Sequence, residues 1–357
     1  MGIQQLGIAA KDSFKYLKKL QDGDVELIKT GYNFIDDHIG GLLKNDIVVV
    51  SGLSGHGKSE LLFRLRENIL DTEINPSADD FVWLNYNLEV KIFNVILRGL
   101  NRRLRKKKKE ILFNAFSEDE KTVVKTYFEE LEDKRQYVNQ DSVTSEEFYT
   151  TCRVFLENNR DKEACHISFD HVALVGDSDT SKGIEKLIAY INKLKLEFDN
   201  SYFYAISQLN RNILARVNEK DNRAAPNAGD LYASSSMDFI SSYNIVVFNA
   251  YKLGIEQFLK VNPDRYDYLS EHFGEEDSKG RVSFNTMGKL FYKVIKTRES
   301  DEPWKDWYIE DMDISKNDLE KMKTDTQIEQ ETAPVFTGGM PNFGTSTFDT
   351  EDNEDPF

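Results

Sequence analysis

Ser51-Gly52-Leu53-Ser54-Gly55-His56-Gly57-Lys58-Ser59 says more about this chain than any other nine residues. From Gly52 to Ser59 it fits the pattern G-x-x-x-x-G-K-S/T of a phosphate-binding loop. The β-branched run Asp46-Ile47-Val48-Val49-Val50 before it reads as a buried strand, and Glu60-Leu61-Leu62-Phe63-Arg64-Leu65-Arg66 after it has helical spacing. Strand, glycine loop and helix in that order are the context the motif requires. Glycines let backbone N–H groups turn inward around phosphate oxygens, and the helix N-terminus adds its positive end. Gly52, Ser54, Gly55, His56, Gly57, Lys58, Ser59 and Glu60 are therefore the expected nucleotide contacts. Lys58 is placed to neutralise charge on the β- and γ-phosphates, and the Ser59 hydroxyl to bind Mg²⁺.

The 357 residues are 39% hydrophobic and 30% charged, enough to bury a core. No apolar run approaches the length of a membrane span and no signal peptide precedes the first helix, so a cytoplasmic location is expected, with no membrane partner. The two cysteines, Cys152 and Cys165, lack metal-ligand spacing and read as buried small side chains. A net charge of −16 argues against a protein that coats nucleic acid with its whole surface. It leaves room for a basic channel inside an acidic assembly.

Along the chain, residues 9–21 read as an amphipathic helix with Phe14, Leu17 and Leu20 on one face, ending at Asp22-Gly23-Asp24. Strands are expected at 46–50, 81–84, 137–138, 164–170, 202–206, 244–248 and 290–295. Helices are expected over roughly 90–135, 144–158 and 183–199, with a polar loop at 212–236 and a charged, partly helical insert at 255–280. Strands alternating with helices imply an α/β fold with a mostly parallel, helix-covered sheet. From about Thr324 the composition turns to Gly, Pro, Thr, Asn and acids, which reads as a disordered acidic tail ending in Pro356-Phe357. The domain reading is a linker helix at 1–24, an ATPase core at 25–323 and a tail at 324–357.

In an open α/β sheet, functional groups gather at the carboxyl ends of strands. Here those ends carry Glu89, Asp170 and Gln208. Cleaving a triphosphate with water needs a held Mg²⁺, a base for the water and a group that senses the γ-phosphate. Asp170 suits the metal, Glu89 the water and Gln208 the γ-phosphate.

These residues resemble the DnaB-type replicative DNA helicases, which carry a RecA-like core, over roughly residues 12–310. Thr30-Gly31-Tyr32, Asp36 and Gly40-Gly41-Leu42 are similar to that family's T-G-F/Y-x-x-L/I-D … G-G-L lead-in. Asn87-Leu88-Glu89 resembles its S-L-E, whose glutamate is the catalytic base, and Ile167-Ser168-Phe169-Asp170 its metal-binding strand. Ser207-Gln208-Leu209-Asn210-Arg211 matches its S-Q-L-N-R, the most specific piece. Lys296-Thr297-Arg298 resembles its K-x-R, which implies that Arg298 is an arginine finger reaching a neighbouring subunit's ATP, with Lys296 its companion. Asp230-Leu231-Tyr232-Ala233-Ser234-Ser235-Ser236 resembles the D-L-R-E-S-G-S loop that grips single-stranded DNA, with Tyr232, Ala233 and Ser235 in place of Arg, Glu and Gly. The resemblance thus implies DNA contacts at Asn210, Arg211, Tyr232, Ser234 and Ser235, and Tyr232 has a ring that can stack on a base.

What the resemblance implies is an ATP- and Mg²⁺-dependent motor moving on single-stranded DNA as a homo-oligomeric ring, most simply a hexamer. The family's amino-terminal helical domain is absent from this sequence, a compactness that suits a phage or mobile-element replication system. Two other readings share the nucleotide site: a RecA-like recombinase or mediator forming filaments, and a scaffold whose assembly is set by ATP with little hydrolysis. The run Arg102–Lys109 reads as a solvated helical face, with DNA or a partner as the alternative. The terminal Asp355-Pro356-Phe357 resembles the acidic tails by which single-stranded DNA-binding proteins recruit replication partners, though Asp355 stands where isoleucine is usual.

Overall fold

The fold is described from a computed structural model over residues 6–23, 25–87, 91–132, 135–141, 143–170, 180–210, 213–217, 225–231, 240–297 and 307–312. Met1–Asp313 form one compact unit. Its centre is β1 (Ile47–Gly52), buried at every position. Valine and isoleucine there are stiff at χ1 and favour extended backbone. β1 lies between β5 (Ser201–Gln208) and β6 (Tyr243–Phe248), parallel to both. On the far side of β5 follow β4 (Ala164–Asp170), β2 (Phe81–Asn87) and β3 (Gln136–Asn139), also parallel. On the far side of β6 the sheet turns antiparallel through β10 (Lys289–Thr297) and β11 (Tyr308–Asp311). The order is β11-β10-β6-β1-β5-β4-β2-β3.

Both faces of the sheet are covered, as a central parallel strand requires. On one face Val48, Val50, Tyr204 and Ile206 meet Leu61, Leu62, Leu65 and Ile69 of α3 (Lys58–Ile69). On the other, Ile47, Val49, Phe203 and Ala205 meet α7 (Ser145–Asn158) and α8 (Thr180–Glu197) through Phe148, Leu156, Leu187 and Ile191. The alternation along β1 is the period of a strand, and each such side chain contributes roughly 1.5–3 kcal/mol by leaving water. Thr144 starts α7 with its hydroxyl accepting from Glu147 N and the Glu147 carboxylate accepting from Thr144 N. Cys152 and Cys165 are buried and free, as expected.

Two expected stretches come out differently. The helical region 90–135 is three helices, α4 (Ile92–Leu104), α5 (Lys108–Phe113) and α6 (Glu118–Leu131). Arg105 adopts a left-handed φ of 50°, which ends α4, and Ser117 with Glu120 caps a new start for α6. The three close on their own small core of Leu97, Leu100, Ile111 and Tyr127. Gly99 is needed there, because a Cβ on it would lie 2.0 Å from the Tyr127 hydroxyl.

The insert 255–280 is partly helical, through 3-10 turns at Pro263–Arg265 and Asp267–His272, but it also carries strands beyond that expectation. It contributes β7 (Gln257–Val261) and β8 (Phe273–Glu276), which join β9 (Val282–Asn285) in a second, antiparallel sheet ordered β7-β9-β8, with short 3-10 turns between. Phe258, Phe284, Phe291 and Trp307 fasten it to the main sheet. The remaining helices are α1 (Leu6–Asp22), α2 (Asn33–Ile39) and α9 (Ile213–Val217), the last inside the stretch read as loop. The tail from 324 and the loop 232–239 lie outside the described residues.

Candidate nucleotide site

The loop after β1 is shaped by its glycines. Gly55 and Gly57 have φ of 73° and 98°, a left-handed region that side chains rarely enter. Gly52 has no room for a Cβ, which would lie 2.7 Å from Val247 O. Lys58 is buried and its Nζ donates to Leu53 O at 2.8 Å, so the ammonium is folded over the loop it serves. Lys252 Nζ donates to Gly55 O at 2.8 Å from the turn after β6.

The His56 ring is buried, and its Nδ1 accepts from Asn249 N at 3.0 Å. Burial, with Lys252 and Lys58 nearby, lowers its pKa to about 3, so the ring is neutral and clamps the loop to the end of β6. Glu60 turns its carboxylate to Arg64 at 3.2 Å and Arg102 at 3.1 Å, which leaves its backbone as the part that can face a phosphate.

Ser59 and Asp170, 111 residues apart in sequence, come together, the Ser59 hydroxyl donating to Asp170 Oδ2 at 2.6 Å. The pair spans β5, because Asp170 ends β4 while Ser59 stands at the start of α3. A hydroxyl and a carboxylate oxygen are hard ligands of the type Mg²⁺ takes. Among the described residues no group of three or more His, Cys, Asp or Glu could hold a metal ion. That fits a cation completed by waters and phosphate oxygens better than one caged by protein. Beyond the pair opens a narrow cleft lined by Phe63, Arg66, Asn87, Arg98 and Ser168 among others. Arg66 is held over the Phe63 ring at 4.5 Å, and burial lowers its pKa.

Gln208 ends β5 in register with Gly52, at the same sheet edge as the phosphate loop. Asn210 follows, its N–H bonded to Asp230 O at 2.8 Å, and Asp230 also holds Arg216 at 2.6 Å. Lys296 sits on β10 in register with Asn244 of β6, past a bulge at 294–296. Glu89, Arg211, Tyr232, Ser234, Ser235 and Arg298 lie outside the described residues.

The basic run Arg102–Lys109 is not one helical face. It crosses from α4 to α5, and three of its cations pair within the chain: Arg102 with Glu60 and Glu67, Arg103 with Glu130 and Lys106 with Glu120. Lys252 and Asn249 were not foreseen from sequence. Their only signal is position, just past the end of a strand that neighbours β1.

The family model for the DnaB-like helicase C-terminal domain matches residues 28–256. No curated protein matches the chain. Among solved structures it is similar to the "ATPase Domain of G40P", with a TM-score of 0.61 at 15% identity, covering 86% of this chain and 94% of that one. It is also similar to a structure of a DnaB-like replicative helicase studied with primase, with a TM-score of 0.58 at 14% identity, covering 86% of this chain and 64% of that one. The first of these likenesses is to an ATPase domain alone, and both are likenesses of fold. With most of its length matched by the family model, the chain belongs to the DnaB-like helicase C-terminal domain family.

Proposed function

We propose that this protein is an ATP-driven DNA helicase motor that hydrolyses ATP with Mg²⁺ at sites shared between neighbouring copies of itself. Lys58 and the loop N–H groups hold the phosphates, Ser59 and Asp170 the metal, Glu89 the attacking water, and Gln208 registers the γ-phosphate. Single-stranded DNA is the track, contacted by the loops around 210–211 and 232–235. The acidic tail is the docking segment for a replication partner.

The observation that carries the shared-site reading is strand direction. β10 is antiparallel to β6, so Thr297 pairs with Tyr243 at the start of β6 while the phosphate loop stands at the other edge of the sheet. Tyr292 lies level with Val247, next to the loop, and Thr297 pairs with Tyr243, four residues back along β6 and so roughly 13 Å away at ~3.3 Å per residue, the bulge taking up one residue of β10. Arg298 follows directly, so a finger there serves another copy's triphosphate. A second observation supports assembly: in the single chain, Phe14 and Leu17 of α1 are 68% and 49% exposed. A helix of this length needs a surface to dock on, and a neighbouring copy supplies one.

ATP turnover with and without single-stranded oligonucleotide, followed by unwinding of a forked duplex, tests the reading. Lys58→Ala is expected to abolish turnover. Arg298→Ala is expected to abolish it while nucleotide binding persists. Normal hydrolysis by Arg298→Ala would refute the shared site. Turnover without unwinding would favour a filament-forming relative.

A further inference from the structure

The face of β2 and β4 that looks toward α3 carries a ladder of polar side chains whose direction is set at its buried end. Trp83 Nε1, which can only donate, is bonded to Ser168 Oγ at 2.8 Å. Ser168 is buried, and its own proton therefore goes to Asn85 Oδ1, 2.7 Å away. With its oxygen engaged, Asn85 donates through Nδ2 to Asn87 Oδ1 at 2.8 Å. Each rung fixes which end of the next amide is oxygen and which is nitrogen, so Asn87 must point its NH₂ onward. That nitrogen is buried and finds no hydrogen-bond partner among the described residues. A buried donor left unsatisfied carries an uncompensated desolvation cost, which a bound acceptor would recover. Asn87 is the register partner of Asp170 on the neighbouring strand, and both line the cleft that begins at Ser59.

We infer that Asn87 is a hydrogen-bond donor to the terminal phosphate of the bound nucleotide, oriented by the Trp83–Ser168–Asn85 ladder. The inference rests on the ATPase reading above and adds a residue to it. The chemistry follows from place. Ser59 and Asp170 would hold a Mg²⁺ that offsets the charge of the terminal phosphates, which places those phosphates at this end of the cleft. A donor beside Asp170 on the cleft side then meets oxygens that carry negative charge, and hydrogen bonds to charged groups are the stronger kind. ADP lacks that phosphate, so the bond distinguishes substrate from product. Asn85 and Ser168 are positioning residues: they touch no nucleotide and act by fixing the amide.

The test compares the parent with Asn87→Ala, Asn87→Ser, Asn87→Asp and Ser168→Ala. Affinities for ADP and a non-hydrolysable ATP analogue are measured with Mg²⁺ by calorimetry, alongside kcat and KM for ATP. Asn87→Ala is expected to cut the preference for the ATP analogue over ADP about tenfold and kcat at least tenfold, with ADP affinity within threefold of the parent. Asn87→Ser keeps a donor and is expected to restore most of both. Asn87→Asp offers an acceptor and a second negative charge beside Asp170, and is expected to lose more than the alanine variant. Ser168→Ala is expected to fall between the parent and Asn87→Ala in both readouts, and to lower the melting temperature because Trp83 Nε1 loses its acceptor.

If Asn87→Ala keeps the parent's preference and kcat while Lys58→Ala abolishes turnover, the donor assignment is wrong and the ATPase reading stands. If the parent itself neither binds nor hydrolyses ATP, both are overturned. If Asn87→Ala and Asn87→Ser lose ADP and ATP-analogue binding equally, Asn87 merely supports the sheet and the assignment fails.

Discussion

His56 occupies one of the variable positions of the phosphate-loop pattern, and the pattern says nothing of what its ring does. The structure gives the ring an acceptor's role against Asn249 N and a pKa lowered to about 3 by burial and two lysines. In the unfolded chain the same histidine protonates near 6.5. The unfolded state then binds more protons below that pH, so stability is full above 6.5 and drains away as pH falls toward 3. Buried His166, with its pKa also lowered to about 3, acts in the same direction. Denaturant unfolding between pH 7 and 4 is expected to show His56→Gln losing stability less steeply than the parent, by up to about 1.4 kcal/mol per pH unit. Parallel slopes would mean that the ring is charged or exposed in the fold. At this scale the sequence is informative only where chemistry forces a residue type. Lys58, Ser59 and Asp170 are legible because phosphate and Mg²⁺ require such groups at strand ends. Asn249 and Lys252 are not, because any residue in that turn reaches the loop only through the fold.

Elements with one strong pattern could be read directly from the chain. β4 and β6 combine β-branched and aromatic side chains over a strand's length, and the Thr144–Glu147 capping box marks the start of α7 within four residues. The failures have equally local causes. The break between α4 and α5 depends on Arg105 entering left-handed backbone, which nothing in a run of arginines and lysines announces. β7, β8 and β9 are only four or five residues long, too short for a period-two pattern to stand out, and β7 and β8 are exposed along much of their length.

The α4–α6 unit offers a test of its packing. Gly99→Ala is expected to destabilise the protein by about 1–3 kcal/mol through overpacking, read as a lower melting temperature. Two atoms of Tyr127 are in the way, the hydroxyl and the ring Cζ at 2.6 Å, and the hydroxyl is buried without a hydrogen-bond partner among the described residues. With the nearer of the two removed, the same alanine in a Tyr127→Phe background is expected to cost less but not nothing. Equal costs in both backgrounds would show that the ring, not the oxygen, sets the spacing.

At the scale of the whole molecule, the parallel half of the sheet and the helices on its two faces follow from alternation in the sequence, whereas the antiparallel margin follows from connections. β11 pairs antiparallel with β10, and β10 antiparallel with β6, so on this side the chain doubles back instead of crossing over. The direction of β10 sends Lys296 and Thr297 to the rim away from the phosphate loop. On the shared-site proposal, every protomer would own two unlike halves of two different reaction centres and a complete one of neither. Two inactive proteins should therefore cure each other. A Lys58→Ala copy still lends its Arg298, and an Arg298→Ala copy still offers an intact Lys58. Blended in equal amounts and allowed to exchange, they should regain activity at about one junction in four, whereas each alone stays silent.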